Sequence, residues 1–249
     1  MASNSPMGAE TRSHVTSRPP WWALPYRAFA YFGLLSVFAA LLFGFHYEPD
    51  ASPLNYVWDV LIYAAFISPH LVMTRSWFKR AAMGNPAGSP AERRVYITIS
   101  VVTWLAVFAF HLPVPGPAFE LPSAVRFAGY VGFLLGLLLF FNGMTFAAID
   151  GLLGIPGAVT SYAHGPEASL FTEGPYASVR HPMYRAVLLA GVSSLLVYAH
   201  LGQLFWVALL GASFIGFIPV EEAQLIAARG DDYRRYRQQT PWRLIRGIW

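Results

Sequence analysis

The sequence predicts an all-α membrane protein, a bundle of about six spanning helices with a cytoplasmic helical tail. Of its 249 residues, 55% are hydrophobic and only 12% are charged, and the mean hydropathy is +0.44. The apolar residues form long blocks, such as "AFAYFGLLSVFAALLFGF" from Ala28, whereas a soluble helix shows an apolar stripe opposite a polar face. Basic residues gather between alternate blocks. These observations indicate helices surrounded by lipid.

A helix that crosses the hydrocarbon core needs about 20 mostly apolar residues, and six segments approach that length. The fifth is the shortest, and only the residues around His200 to Gly202 separate it from the sixth. We therefore expect the last two to form a short hairpin that need not span fully. The segments cover residues 28–46, 56–74, 95–112, 125–149, 184–200 and 203–220.

The distribution of basic residues supports an even number of spans, because Lys and Arg prefer the cytoplasmic side of short loops. With both termini inside, sixteen of the 17 Lys and Arg residues fall on the cytoplasmic side, and Arg126 is the exception. Glu48, Asp50 and Glu120 fall in the outer loops. Four spans plus a re-entrant hairpin would give the same sidedness. The expected location is a bacterial cytoplasmic membrane.

Composition also excludes several kinds of chemistry. The chain has no cysteine, so disulfides, thiolate metal sites and cysteine nucleophiles are excluded, and we expect no metal. Membrane topology accounts for the net charge of +4, so we expect no nucleic-acid partner, and no obligate protein partner is evident. We expect a disordered tail over residues 1–20, four helices over 21–149, and a cofactor-binding loop, hairpin and tail over 150–249.

Three features lie within the spans. Gly129, Gly132 and Gly136 form a small-residue face that contains "GFLLG", which favours close helix packing. His70 follows Pro69 in the second span, and ionisable groups at membrane depth face a cavity or a partner. A hydrogen-bonded histidine in a kinked helix is the alternative. Asp59 and His111 lie near span ends, where an interfacial position is expected.

Polar side chains bracket the hairpin. "GPYASVRHPMYRA" from Gly174 precedes the fifth segment, and Glu221 and Glu222 follow the sixth directly. A carboxylate pair at the membrane boundary needs cations to offset its desolvation, and Arg180, His181 and Arg185 are candidates. We therefore expect the two ends of the hairpin to meet.

Guanidinium, imidazole, phenol and carboxylate groups around a half-buried pocket suit a zwitterionic ligand with a flat base, which describes S-adenosylmethionine. Two alternatives remain open. The charges could form salt bridges that only staple the hairpin. The tyrosines of "YRRYR" from Tyr233 could belong to an interfacial amphipathic helix with its rings at headgroup level, which composition alone favours.

The bracketing segments resemble the carboxy-terminal signature of the integral-membrane methyltransferases, which include isoprenylcysteine carboxyl methyltransferase and phospholipid amine methyltransferases. That signature is Arg-His-Pro, one residue, Tyr, one residue, Gly, then a Glu pair and Gly-x-x-Tyr. The positions that match it are Arg180, His181, Pro182, Tyr184, Glu221, Glu222, Gly230 and Tyr233.

The second span and the loop after it are similar to the methanethiol S-methyltransferases and their denitrification-associated relatives. An ordered run recurs in those proteins, and the residues that fit it are His70, Met73, Arg75, Phe78 and Lys79. Together the resemblances cover most of residues 65–245. They favour a small thiol as the methyl acceptor.

The chain departs from the signature in two places. Ala186 stands where the family usually has glycine, which questions whether the pocket has the standard shape. Arg185 stands where many relatives have an apolar residue, which could change the charge beside the ligand.

The resemblance implies in-line transfer of a methyl group from S-adenosylmethionine to a small lipophilic thiol that enters from membrane lipid. It implies His70 and Arg180 as catalytic residues. The implied cofactor-binding residues are Tyr176, Arg180, His181, Pro182, Tyr184, Glu221 and Glu222. Tyr162 and His164 are further candidates for the general base, although a thiol can lose its proton without one. A prenylcysteine or phospholipid-amine methyltransferase, or a non-catalytic membrane factor of the same fold, remains possible.

Overall fold

The structure is a computed structural model that describes residues 19–83, 89–146, 149–155 and 170–249. Within these ranges the chain is a helical bundle without a β-sheet; its extended pairings are two isolated bridges in the connecting loops. The helices are α1 (Ala23–Phe43), α2 (Leu54–Met73), α3 (Ser76–Met83), α4 (Pro90–Phe110), α5 (Ser123–Phe146), α6 (Ile149–Leu153), α7 (Pro182–Val197), α8 (Leu201–Arg229) and α9 (Asp231–Gln239).

In the described part, five helices are long and apolar enough to cross a membrane, namely α1, α2, α4, α5 and α8. They confirm the predicted membrane bundle. The remaining predicted segment is α7, whose 16 residues extend about 24 Å, less than the thickness of the hydrocarbon core, about 30 Å. The expectation of a short hairpin therefore applies to α7 alone.

Helix α8 is longer than the sequence predicted. It runs for 29 residues, to Arg229 instead of residue 220. Pro219 lies within it but does not end it, and Glu221 and Glu222 belong to the same helix. A helix of this length extends about 43 Å, so its last turns reach beyond the apolar core.

The loops that follow α1, α4 and α7 meet at one end of the bundle and close it there. His200 caps the start of α8, because its Nδ1 accepts a hydrogen bond from the Gln203 backbone N–H at 3.0 Å. The turn of the hairpin therefore lies just before Leu201, and Gly202 already belongs to the helix. Tyr47 donates a hydrogen bond to the Gly116 carbonyl at 2.6 Å and joins the other two loops at this end.

The small-residue face of α5 packs directly against α7. The sequence predicted close helix packing at this face but did not identify the partner helix. A Cβ added at Gly136 would lie 2.8 Å from both the Ala186 carbonyl oxygen and the Ala190 nitrogen, and one at Gly129 would lie 2.9 Å from the Ser193 carbonyl oxygen. These neighbours are backbone atoms, which cannot rotate away. Ala186 is fully buried in this interface.

We predict that Gly136→Ala destabilises the protein, because α5 and α7 must move apart and overpacking typically costs about 1–3 kcal/mol. The matched control is Gly216→Ala in α8, where an added Cβ would have nothing within 4 Å. That control gains helix propensity, up to about 1 kcal/mol. Thermal unfolding in detergent should show a lower midpoint for Gly136→Ala only. Equal midpoints for both variants would contradict this packing.

The amino end of α4 is fixed to its neighbours by polar contacts. Ser89 accepts a hydrogen bond from the Glu92 backbone N–H and caps the helix, with Pro90 in its first turn. The Glu92 carboxylate pairs with Lys79 of α3 at 2.6 Å, and both side chains are buried. Arg27 of α1 pairs with Asp150 of α6, also at 2.6 Å. These contacts place α3 and α6 at the same end of the bundle.

Candidate functional site

The amino end of α7 is joined to the carboxy-terminal tail through the backbone. The Arg180 N–H donates to the Trp242 carbonyl at 2.9 Å, and the His181 N–H donates to the Arg243 carbonyl at 3.0 Å. Pro182 occupies the first turn of α7, where the missing N–H has no helical partner to lose. The tail is therefore held against the Arg-His-Pro sequence independently of side-chain charges.

Glu222 is the centre of a buried ion cluster. Its Oε1 accepts a hydrogen bond from Arg180 Nε at 2.7 Å, and its Oε2 accepts from the Arg243 guanidinium at 3.0 and 3.2 Å. His181 Nε2 lies 3.4 Å from Oε1. Only 4% of the Glu222 side chain and 5% of the Arg180 side chain are exposed. The predicted meeting of the two hairpin ends is present, and both oxygens of Glu222 are already engaged.

Glu221 has a different environment from its neighbour. Its Oε2 accepts a hydrogen bond from the Tyr184 hydroxyl at 2.7 Å and lies 3.6 Å from His181 Nδ1. The side chain is 22% exposed. Glu221 therefore keeps acceptor capacity on the open side, whereas Glu222 is closed in by cations.

A pocket of about 70 Å³ opens in front of these groups. Six of the seven residues predicted to bind a cofactor line it, and Glu222 stands behind the wall. A whole nucleoside needs more room than this, and Leu170 and Phe171 form part of the wall. The six predicted lining residues are Tyr176, Arg180, His181, Pro182, Tyr184 and Glu221.

Helix α9 folds onto this pocket, which corrects the interpretation of "YRRYR" as a membrane-surface helix. Tyr233 and Tyr236 are 1% and 3% exposed and line the pocket. Gly230, at a positive φ of 54°, makes the turn that brings α9 back. Arg234 and Arg235 face outward and pair with the aspartates at the start of α9. The aromatic rings therefore belong to the site.

The two phenols of α9 differ in their hydrogen bonding. Tyr236 donates to the Tyr176 carbonyl at 2.8 Å. The Tyr233 hydroxyl is buried and has no hydrogen-bond partner within the described residues. Burial raises the pKa of both phenols well above their usual range, so each stays a neutral donor. Tyr233 thus offers an unused hydrogen bond inside the pocket.

His181 has a carboxylate near each ring nitrogen. Burial alone would lower its pKa, but the hydrogen bonds and charges of Glu221 and Glu222 outweigh burial and raise the pKa above the ordinary 6.5. Because the pKa of His181 is higher in the folded than in the unfolded protein, the stabilisation that its ion pairs give to the fold is complete at pH values below the unfolded pKa. It is lost as the pH rises through the folded value.

We therefore predict that the unfolding midpoint of the protein falls as the pH rises from slightly acid to mildly alkaline. His181→Gln removes the titrating ring and should flatten this part of the profile. Thermal unfolding in one detergent across a pH series measures the profiles of the wild type and of His181→Gln. A wild-type midpoint that rises over this range, or an equally steep profile for the variant, would contradict the assignment.

A second, apolar cavity of about 240 Å³ adjoins the charged pocket. It lies among α1, α2, α4, α5 and α6, and Met183 lines both spaces. Phe66, Trp104 and Phe140 contribute rings to its wall. The polar pocket at the bundle end and the apolar cavity inside the bundle thus share one lining residue.

His70 lines the apolar cavity and not the charged pocket. Its Nδ1 lies 3.0 Å from the Phe66 carbonyl oxygen. A carbonyl can only accept, so Nδ1 carries the proton and the neutral ring has a free lone pair on Nε2. His70 and Arg180, the two predicted catalytic residues, therefore belong to adjacent spaces. The other base candidates, Tyr162 and His164, lie outside the described residues.

Sequence reasoning missed three contributors to the site. Arg243 supplies the second guanidinium on Glu222, and Thr240 gives its carbonyl to Arg180 at 2.8 Å. Met183 lines both spaces. For Thr240 and Arg243 the available signal was their position in the polar segment that follows α9. Arg185, the unusual cation in the signature, is not among the residues that line the pocket.

No family model matches the chain. Three characterised proteins are similar to it. Methanethiol S-methyltransferase 1 of Bradyrhizobium diazoefficiens is 29% identical over an alignment of 200 positions, which covers 74% of this chain and 66% of that protein. Methanethiol S-methyltransferase 2 of the same bacterium is 28% identical over 187 residues, 74% of this chain and 70% of that protein. The methanethiol S-methyltransferase of Pseudomonas deceptionensis is 29% identical over 201 residues, 76% of this chain and 73% of that protein. The chain thus spans just under two thirds of the first relative.

Proposed function

We propose that this chain, which is related to the methanethiol S-methyltransferases, is a membrane methyltransferase that methylates a lipophilic thiol with S-adenosylmethionine as donor. The observation that carries this proposal is the pair of adjoining spaces, one polar and one apolar, with Met183 in both walls. A charged donor and an apolar acceptor need such different environments, and their reacting atoms must meet where the two join.

The residues of the polar pocket fit the proposed donor. Tyr233 supplies a buried hydroxyl without a partner in the described chain, and Glu221 supplies carboxylate capacity for an ammonium or ribose hydroxyls. Arg180 and His181 carry positive charge toward a carboxylate. Glu222 holds these two cations in place and acts as a positioning residue.

The donor, when bound, supplies a methyl group activated by a sulfonium charge. The protein contributes orientation and exclusion of water. His70 offers the lone pair of Nε2 to the thiol proton, and the thiolate is the better nucleophile. The aromatic wall of the apolar cavity keeps water from the reacting thiol.

We also propose that the site faces the cytoplasm of a bacterial inner membrane. The described Lys and Arg residues other than Arg126 lie at the site end of the bundle: on the first two turns of α1 and α4, after α2, on α3, beside and in the first turn of α7, at the last residue of α8, on α9 and after α9. Such residues prefer the cytoplasmic side. The side of the membrane on which the site lies can be tested by labelling single-cysteine variants, because the chain has no native cysteine that would also react.

The proposed function is tested by incubating the purified protein with methyl-labelled S-adenosylmethionine and separate acceptors. The acceptors are methanethiol, a farnesylcysteine analogue and phosphatidylethanolamine. We expect label in the thiol product, and less than a tenth as much with Glu221→Gln. Label in the prenyl or lipid acceptor alone would identify the corresponding methyltransferase instead. Binding of S-adenosylhomocysteine without any transfer would favour a non-catalytic factor.

A further inference from the structure

The apolar cavity is larger than methanethiol requires. Its volume is about 240 Å³, whereas an apolar protein cavity of roughly 150 Å³ suffices to bind benzene. Methanethiol has only two heavy atoms and would leave most of the cavity empty. An acceptor that fills the space gains contact with the whole wall, because apolar contacts add up over the buried surface.

The wall of the cavity also restricts the polarity of its occupant. Trp104 Nε1 donates to Ser36 Oγ at 2.9 Å, and Ser100 Oγ donates to the Tyr96 carbonyl at 2.7 Å. These groups are therefore engaged within the protein. Within the described residues His70 Nε2 has no hydrogen-bond partner, so it is available to a polar atom of a ligand.

The rings of the wall are arranged to receive an apolar ring or chain. Phe66 meets Trp104 edge to face at 5.4 Å and His70 at 4.5 Å between ring centroids. An aromatic ligand can extend this edge-to-face packing. The occupant therefore has an apolar body and one polar atom near His70.

From these observations we propose that the preferred acceptor is a thiol that carries a phenyl ring or a chain of about six to eight carbons. The inference rests on the proposed function and specifies its substrate. The new bond joins the thiol sulfur to the transferred methyl carbon, and the bond broken joins that carbon to the sulfonium sulfur of the donor. The thiol proton passes to His70 Nε2 and then to water. The products are a methyl thioether and the demethylated donor.

The test compares two tryptophan substitutions on neighbouring positions of α1. Leu34 lines the cavity, and Leu35 is exposed on the outer surface of the helix. Leu34→Trp fills the cavity with an indole ring, and Leu35→Trp is the matched control. Val37→Phe, also in the cavity wall, replaces Leu34→Trp if that variant does not fold. The thermal unfolding midpoint in detergent shows whether each variant is folded, independently of donor binding.

Two readouts are made on each protein. The first is kcat/KM for benzenethiol and for methanethiol. The second is binding of 4-fluorothioanisole, a product analogue, by fluorine NMR without any methyl donor. We expect the wild type to prefer benzenethiol by at least about tenfold, because each added methylene in an apolar pocket is worth about tenfold or more. Leu34→Trp should lose that preference and the binding of the analogue, and Leu35→Trp should keep both.

The outcomes separate the inference from the function on which it rests. Methylation of methanethiol with equal or lower efficiency for benzenethiol, and no effect of Leu34→Trp on analogue binding, would refute the larger acceptor and leave the thiol methyltransferase intact. Absence of transfer to any thiol would refute the proposed function. In that case, loss of analogue binding in Leu34→Trp but not in Leu35→Trp would still support the cavity as the site of an apolar ligand.

Discussion

Glu222→Gln is expected to lower the affinity for S-adenosylhomocysteine at least about a hundredfold and to lower the unfolding midpoint. The substitution leaves Arg180, Arg243 and His181 without the carboxylate between them. Removing one partner of a buried ion pair typically costs about 3–5 kcal/mol. The Arg180 side chain would no longer be fixed at the wall of the pocket. Calorimetric titration and thermal unfolding of the same preparation measure the two effects.

Two comparisons make this result specific. Asp231→Asn breaks the Arg234 pair, in which both side chains are mostly exposed, and should change neither quantity because exposed pairs contribute about 0–1 kcal/mol. Glu221→Gln keeps the ion cluster and should weaken ligand binding with a small effect on the midpoint. If Glu222→Gln matched the wild type in both measurements, the positioning role of Glu222 would be excluded.

His70→Ala is expected to reduce kcat by a factor of about 10²–10⁴, the usual contribution of a general base. The affinity for S-adenosylhomocysteine should stay unchanged, because His70 lies in the wall of the apolar cavity and not of the charged pocket. Initial rates with a thiol acceptor, together with titration of S-adenosylhomocysteine, separate turnover from donor binding.

The matched control is His46→Ala, which removes an exposed ring from the loop after α1. It should retain full turnover. A purely structural role for His70 predicts a lower unfolding midpoint and weaker donor binding along with any loss of rate. Normal kcat in His70→Ala would show that the thiol loses its proton without this histidine.

Much of the fold follows from hydropathy because each long helix needs a long apolar segment. Close packing of α5 was likewise predictable, since Gly129, Gly132 and Gly136 leave room for a neighbouring helix, although the sequence did not identify that helix as α7. The end of α8 could not be predicted from the sequence. Glu221 and Glu222 looked like a terminus, whereas the helix runs on to Arg229 and Glu222 is paired with Arg180 and Arg243.

The candidate site was predictable in location but not in the roles of its members. Neighbouring residues on a helix point about 100° apart, so Glu221 and Glu222 had to face different surroundings. The sequence does not say which of them meets the pocket. Tyr233 shows a similar limit, because the same Tyr and Arg pattern suits a membrane surface or a folded-back helix. The turn at Gly230 decides between them.

Titration of S-adenosylhomocysteine into the purified protein, with wild type, Tyr233→Phe and Tyr198→Phe compared, tests the central claim most directly. Tyr233 lines the charged pocket, and Tyr198 lies in the turn before α8 at the other end of the bundle. We predict one binding site per chain, an affinity roughly tenfold weaker for Tyr233→Phe because one buried hydrogen bond is lost, and no change for Tyr198→Phe. No detectable binding to the wild type, or equal affinities for all three proteins, would contradict it.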